Sequence, residues 1–189
     1  MKTLFSIALA TAGMVAAGQI TYTVSDTGSG SLVLASIQNF TNATITFTEV
    51  TDTSLITSRG VGTYCAPNAT NTVSISGIGT FTLNDSTHIF DNQSTSVAGI
   101  EDPSSSDLLD EKDSAFSTYP MQTSLGPITD NLTLTTAITN LLTSGGQLSA
   151  TWGPNVTFTA ITTPEPGSMA LILTGALPLG LLALRRRRA

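Results

Sequence analysis

Apolar residues alternate with threonine or serine through most of the chain, and this period of two constrains the fold more than any other feature. Successive side chains of a strand point to opposite faces of a sheet, so the pattern predicts antiparallel strands with one buried and one wet face. Threonine is β-branched, which suits the wet face without adding charge. The alternating runs are ITYTV (residues 20–24), ATITFTEV (43–50), TVSIS (72–76), GTFTL (79–83), LTLTTAIT (132–139) and NVTFTAI (155–161).

Turn-forming segments separate these runs. SDTGSGS, APNATN, SGIG, TSGGQ and WGPN are rich in glycine, asparagine, proline and serine, the residues that favour turns. Their spacing predicts about eight to ten short strands. We therefore predict an all-β domain over residues 19–162, an antiparallel β-sandwich of jelly-roll or immunoglobulin-like type.

Charge is scarce in this chain and unevenly placed. Charged residues make up 11% of the 189 residues, against about 25% in typical soluble domains, while serine and threonine together reach roughly 29%. All 13 carboxylates lie between Asp26 and Glu165, where only Arg59 and Lys112 are basic, which leaves a charge of about −11 there. Such a surface repels phosphate backbones, so we exclude nucleic acid as a partner.

The first 18 residues have the pattern of a secretory signal peptide. Lys2 is followed by an apolar stretch over residues 4–15 and then by the small residues Ala16, Ala17 and Gly18. This order of charge, apolar run and small residues directs a chain to Sec-type export. The small residues predict cleavage after Ala17 or Gly18. The apolar run is too short to span a bilayer comfortably.

The C-terminal segment has the pattern of a membrane anchor. Residues 167–184 carry no charge, and a helix of that length covers about 27 Å, close to the thickness of the hydrocarbon core. The sequence therefore predicts one transmembrane helix over 167–184. The arginines that follow are too costly to pull through the bilayer, so they hold the tail on the cytoplasmic side; they are Arg185, Arg186, Arg187 and Arg188.

The triplet Pro164, Glu165 and Pro166, followed by this apolar segment and a terminal arginine cluster, resembles the PEP-CTERM sorting tail of Gram-negative bacteria. The resemblance covers residues 164–189 and the signal peptide. It implies that the triplet is recognised by an exosortase and that the arginines retain the chain until processing. It further implies an inner-membrane-tethered intermediate, then the cell surface or extracellular matrix, with a link to exopolysaccharide and biofilm. We therefore expect three parts in the chain: a signal peptide over residues 1–18, the β-sandwich ectodomain over 19–162 and the sorting tail over 163–189.

One stretch, residues 98–116, breaks the alternation and concentrates acidic residues. Hard cations take several carboxylate oxygens, so a calcium-binding loop is one interpretation. The other is a solvated acidic loop with a short helix capped near Ser105 or Ser106. There is no EF-hand spacing, and we favour the solvated loop. The candidate calcium ligands are Asp107, Asp110, Glu111 and Asp113.

Residues that carry catalysis are few. The chain has one cysteine, Cys65, and one histidine, His88. Asp85, Ser86 and Asp91 lie near His88 in sequence, but no G-x-S-x-G elbow is present. One cysteine and one histidine cannot close a zinc site alone. We therefore expect no enzyme activity, a buried Cys65 and a structural His88.

Aromatic residues offer an alternative function, because aromatic rings stack on sugars. The candidates are Trp152, Tyr22, Tyr64 and Tyr119. A sandwich core claims most aromatic residues first, so we expect core packing for Trp152. The sequence therefore predicts an exported, non-enzymatic surface or matrix protein. The alternative is a carbohydrate-binding module, supported by calcium.

Overall fold

The computed structural model describes residues 18–33, 35–67, 70–103, 106–130 and 137–163. These residues form thirteen strands and two short 3₁₀ helices, Thr53–Leu55 and Ser114–Thr118, and they contain no α-helix. Every strand pairing is antiparallel. The prediction of an all-β fold built from antiparallel sheets is confirmed.

The strands form two sheets. The first has the order β10-β13-β1-β2-β5-β6, and β12 extends it by pairing with β1 and with β11. The second has the order β3-β4-β7-β8-β9. The bounds are β1 Gln19–Val33, β2 Ile37–Asp52, β3 Thr57–Gly60, β4 Thr63–Pro67, β5 Thr70–Ile75, β6 Gly79–Thr82, β7 His88–Asn92, β8 Val97–Asp102, β9 Ser106–Lys112, β10 Leu125–Asp130, β11 Ala137–Thr143, β12 Gly146–Trp152 and β13 Val156–Thr163.

The inner faces of both sheets share one apolar core. Ile20 and Phe47 come from the first sheet and Ile89, Ile100 and Leu109 from the second, and all are buried in the same cluster. The ring of Phe116, beside the second sheet, meets Phe158 of β13 edge to face at 5.2 Å between centroids. Buried aliphatic and aromatic area is the main favourable term in folding, so this shared core holds the sheets together.

Strand β1 is longer than the alternation predicts. SDTGSGS, which we expected to be a turn, is part of β1, because Gly28 and Gly30 let the backbone of a neighbouring strand approach closely. At this point β1 changes partner on one edge: Ser25 pairs with β13, and Gly28 pairs with β12. The turns expected at SGIG, TSGGQ and WGPN lie between strands as predicted.

The expectation of a loop over residues 98–116 is wrong. Much of this stretch forms the antiparallel pair β8 and β9. Ala98, Ile100 and Leu109 alternate into the core, and this apolar alternation outweighs the acidic composition. The short helix begins later than expected and is 3₁₀, with the carboxylate of Asp113 accepting from the Ala115 N–H at 2.7 Å.

No helix of the described residues is long and apolar enough to cross a membrane. The predicted signal peptide (apart from Gly18), the PEP triplet, the helix over 167–184 and the arginine cluster all lie outside those residues. So does most of the run LTLTTAIT, whose last residues belong to β11.

The close approach of β12 to β1 gives a test of the fold. A Cβ at Gly30 would lie 2.0 Å from the Ser149 carbonyl oxygen, so Gly30→Ala must push the two strands apart. We expect a loss of about 2–4 kcal/mol in the free energy of unfolding, measured by urea denaturation. Ser31→Ala, on the same strand, is the control and should change the value by less than about 1 kcal/mol. Equal losses in the two variants would contradict the strand pairing.

Candidate functional site

Strand register brings three metal-ligating side chains together on the second sheet. Cys65 pairs with Phe90 and is therefore diagonal to His88, while His88 pairs directly with Glu101. Their sequence neighbours Ala66, Ile89 and Ile100 lie in the core, so alternation places all three side chains on the outer face. One ligand atom from each lies within 4.8 Å of the others.

A fourth side chain, Arg59, completes what we call the outer-face cluster: Arg59, Cys65, His88 and Glu101. The pairing of β3 with β4 passes from Ser58–Tyr64 to Gly60–Thr63. Arg59 is therefore the extra residue of a bulge, a feature that re-aims side chains. Its guanidinium forms an ion pair with Glu101 Oε1 and lies 2.6 Å from Nδ1 of His88.

The protonation states of the cluster follow from its surroundings. Burial raises the pKa of the Cys65 thiol to about 11, and the nearby Arg59 charge opposes this only in part. Burial, and then the Arg59 charge, lower the pKa of His88. At neutral pH the cluster therefore holds a thiol and an uncharged imidazole. The thiol is a poor nucleophile, because the thiolate is the reactive form.

Sequence reasoning placed Cys65 correctly as buried, but it rejected a zinc site of Cys65 and His88 alone and did not associate Glu101 with them. These residues belong to three different strands, and no short motif links them. Only the register of β4, β7 and β8 places them side by side. Of the residues near His88 in sequence, Asp91 points into the interior, because it lies three positions away on the same strand and successive side chains alternate between faces.

A second polar group lies between the sheets, where the carboxyls of Glu49 and Asp91 are fully buried. None of their four oxygens has a hydrogen bond of good geometry. Burial raises the pKa of Glu49 to about 8, against smaller opposing effects of the nearby Ile89 N–H and Asn71 amide. Burial also raises the pKa of Asp91 to about 7. Both carboxyls are therefore largely protonated at mildly acidic pH.

Tyrosines adjoin these carboxyls. Burial raises the pKa of Tyr22, with smaller effects of Tyr119, Glu49 and Asp91 in the same direction. The Tyr22 hydroxyl donates to the Met121 carbonyl at 2.5 Å, and the Tyr119 hydroxyl donates to the Thr123 carbonyl at 2.8 Å. Both phenols are thus satisfied by backbone. We call Glu49, Asp91, Tyr22 and Tyr119 the buried acidic layer.

The candidate calcium ligands do not converge on one point. Asp110 and Glu111 are consecutive in β9 and therefore point to opposite faces. Glu111 is fully buried, whereas Asp107 is exposed. Asp113 caps the second 3₁₀ helix. The only group of metal-ligating side chains found among the described residues is Cys65, His88 and Glu101.

The aromatic candidates for sugar stacking face inward. Trp152 is half-buried, meets Phe47 edge to face at 6.0 Å, and donates its Nε1–H to the Leu108 carbonyl at 2.8 Å. Tyr22 and Tyr119 are buried, and Tyr64 packs against the core. The expectation of core packing for Trp152 is confirmed. Its hydrogen bond also ties the first sheet to the second.

Comparison with known proteins adds no assignment, since no protein-family model, no curated protein and no solved structure matches this chain.

The buried acidic layer predicts an unusual dependence of stability on pH. Folded Glu49 and Asp91 have raised pKa values, so the folded state binds more protons than the unfolded chain. Their contribution to stability is full below about pH 4 and is lost as pH rises towards about 8, at up to about 1.4 kcal/mol per group per pH unit. We expect the melting temperature to fall between pH 5 and pH 8.5.

The variant Glu49→Gln should flatten that dependence and leave the protein more stable at pH 8.5, because the amide carries no charge to bury. Asp85→Asn, at a half-exposed site, controls for the loss of one negative charge. Scanning calorimetry at several pH values makes the comparison. Two results would contradict a free-energy cost of burying the ionised Glu49 carboxylate. One is a melting temperature that rises with pH over this range, and the other is a pH dependence of the melting temperature that Glu49→Gln leaves unchanged.

Proposed function

We propose that this protein is an exported, non-enzymatic component of the cell surface or extracellular matrix, sorted by its C-terminal PEP tail. A Sec-type signal over residues 1–18 starts export. A helix over residues 167–184 holds the chain in the inner membrane, and an exosortase recognises Pro164, Glu165 and Pro166. The delivered sandwich is associated with exopolysaccharide and biofilm.

The observation that carries this proposal is the position of the two ends of the sandwich. The first residue of β1, Gln19, pairs with the last residue of β13, Thr163. The predicted cleavage site and the PEP triplet therefore adjoin the folded strands directly, and both leave the domain at the same end. A peptidase acting at residues 164–166 would act directly after the last residue of β13.

The surface of the sandwich supports a role outside the cell without charge-based binding. Hydroxyl side chains pair with each other on the first sheet: Thr129 of β10 with Thr157 of β13 at 2.8 Å, and Ser124, just before β10, with Thr162 of β13 at 2.9 Å. Cross-strand hydroxyl pairs stabilise a sheet modestly. They present a neutral, hydrogen-bonding face, which suits contact with polysaccharide hydroxyls more than contact with charged polymers.

The polar clusters support a non-enzymatic role. Cys65 is a buried thiol with a raised pKa, and His88 is held by Arg59. The carboxyls of the buried acidic layer lie inside the sandwich, where a substrate does not reach them. A general base needs access to the proton that it removes, and the buried acidic layer does not offer this.

Sorting is tested in a host that encodes an exosortase, by following full-length protein through membrane and extracellular fractions by immunoblot. The wild type should be shortened at the tail and leave the membrane. Glu165→Ala should accumulate uncut in the membrane fraction, because the charge between two prolines is lost. Thr163→Ala, the neighbouring exposed residue, is the matched control and should be processed normally.

The arginine cluster has its own comparison. Deletion of Arg185, Arg186, Arg187 and Arg188 should abolish retention and reduce correct processing, whereas replacement of all four by lysine should preserve both, since charge sets orientation. Normal processing of both Glu165→Ala and the deletion variant would contradict the proposal. Processing of the wild type that is the same in hosts with and without an exosortase would contradict it as well.

A further inference from the structure

We propose that Cys65, His88 and Glu101 bind a zinc-class divalent metal ion on the outer face of the second sheet. The only cysteine and the only histidine of the chain meet there, 23 positions apart in sequence, with a carboxylate beside them. The site goes beyond the sorting function and does not depend on it.

The donor set selects the class of metal. Thiolate sulfur, imidazole nitrogen and carboxylate oxygen are the three ligand types of protein zinc sites. Calcium and magnesium take oxygen ligands, so a sulfur and nitrogen pair disfavours them. Three protein ligands leave one tetrahedral position for water or an external donor, as in zinc sites that remain open.

The geometry requires only a small adjustment. Metal–ligand bonds of about 2.0–2.3 Å place tetrahedral ligand atoms about 3.3–3.8 Å apart. The three ligand atoms here lie within 4.8 Å of one another, so side-chain rotations of moderate size close the site. The backbone under them is already fixed by the pairing of β4, β7 and β8.

Arg59 acts as the competing cation. Its guanidinium contacts Glu101 Oε1 and the Nδ1 of His88. These belong to the carboxylate and the imidazole that would bind the metal. Arg59 lies on β3, whose four residues are all exposed, and its own side chain is 38% exposed. It can therefore rotate into solvent, and the metal then replaces its positive charge beside Glu101.

Metal binding also moves a proton. A metal-bound cysteine is deprotonated, whereas a free cysteine is mostly a thiol at neutral pH. The metal–sulfur bond forms as the S–H bond breaks, and the proton goes to buffer, about one proton per metal ion.

Cobalt titration tests the site, since Co²⁺ occupies zinc sites and reports thiolate ligation by a charge-transfer band in the near ultraviolet. The probe is the full chain in mild detergent under reducing conditions, and the metals used are Co²⁺ and then Zn²⁺. We expect one Co²⁺ per chain with the thiolate band, its loss on addition of Zn²⁺, and its absence in Cys65→Ser. His88→Ala and Glu101→Gln should each weaken binding by about tenfold or more.

Arg59→Gln distinguishes a metal site from a structural ion-pair network. If Arg59 competes with the metal, its removal should tighten Co²⁺ binding by about tenfold, whereas a supporting role for Arg59 predicts weaker binding. Asp113→Asn, a carboxylate outside the cluster, is the control and should leave binding unchanged. Folding of every variant is checked by circular dichroism.

Two results would overturn the proposed site: no thiolate band in the folded wild type, or a band that persists in His88→Ala and Glu101→Gln at unchanged affinity. Weaker binding in Arg59→Gln would overturn the competition between Arg59 and the metal. Titration calorimetry in two buffers of different ionisation enthalpy gives an independent readout. It should report release of about one proton per Zn²⁺, and zero release would also contradict ligation by Cys65.

Discussion

The hydrogen bonding of β1 on both edges is the constraint on which the rest of the structure depends. Along one edge β1 pairs with β2 from end to end, and along the other it pairs first with β13 and then with β12. Segments from the start and the finish of the domain therefore meet on a single strand. Without the glycines that admit β12, the second half of this edge would lack its partner. The inner-face residues of the first sheet, and the buried carboxyl of Glu49, which pairs with Tyr22 of β1, take their positions from this register.

The same alternation produces three chemically different environments. Inward positions supply the core, but Glu49 and Asp91 occupy two of them and carry a desolvation cost that neutral, protonated carboxyls reduce. Outward positions of the first sheet carry hydroxyls. Outward positions of the second sheet carry Cys65, His88 and Glu101 beside Arg59. Two sheets built on one pattern thus differ in what they present to their surroundings.

Fold class could be predicted because the alternating runs need only local information: Ile20, Tyr22 and Val24 are buried as their spacing requires. The strands within the acidic stretch, residues 98–116, could not be predicted. Ala98, Ile100 and Leu109 determine these strands, but six carboxylates dominate the composition of the stretch. SDTGSGS was assigned to a turn, since the close approach of β12 that uses its glycines is a long-range contact. The outer-face cluster was missed for the same reason: pairing register between distant strands is not written in the spacing of Cys65, His88 and Glu101.

The neighbouring positions of Gln19 and Thr163 also determine how far the domain reaches. β1 has 15 residues, which at about 3.4 Å per residue extends up to about 50 Å. The proposed attachment beyond Thr163 would therefore hold the sandwich by one end. The opposite end, where Val33 pairs with Ile37 and both side chains are exposed, is the part carried furthest from that support. In the proposed surface-held form, this end would be the first surface that an approaching polymer or neighbouring cell meets.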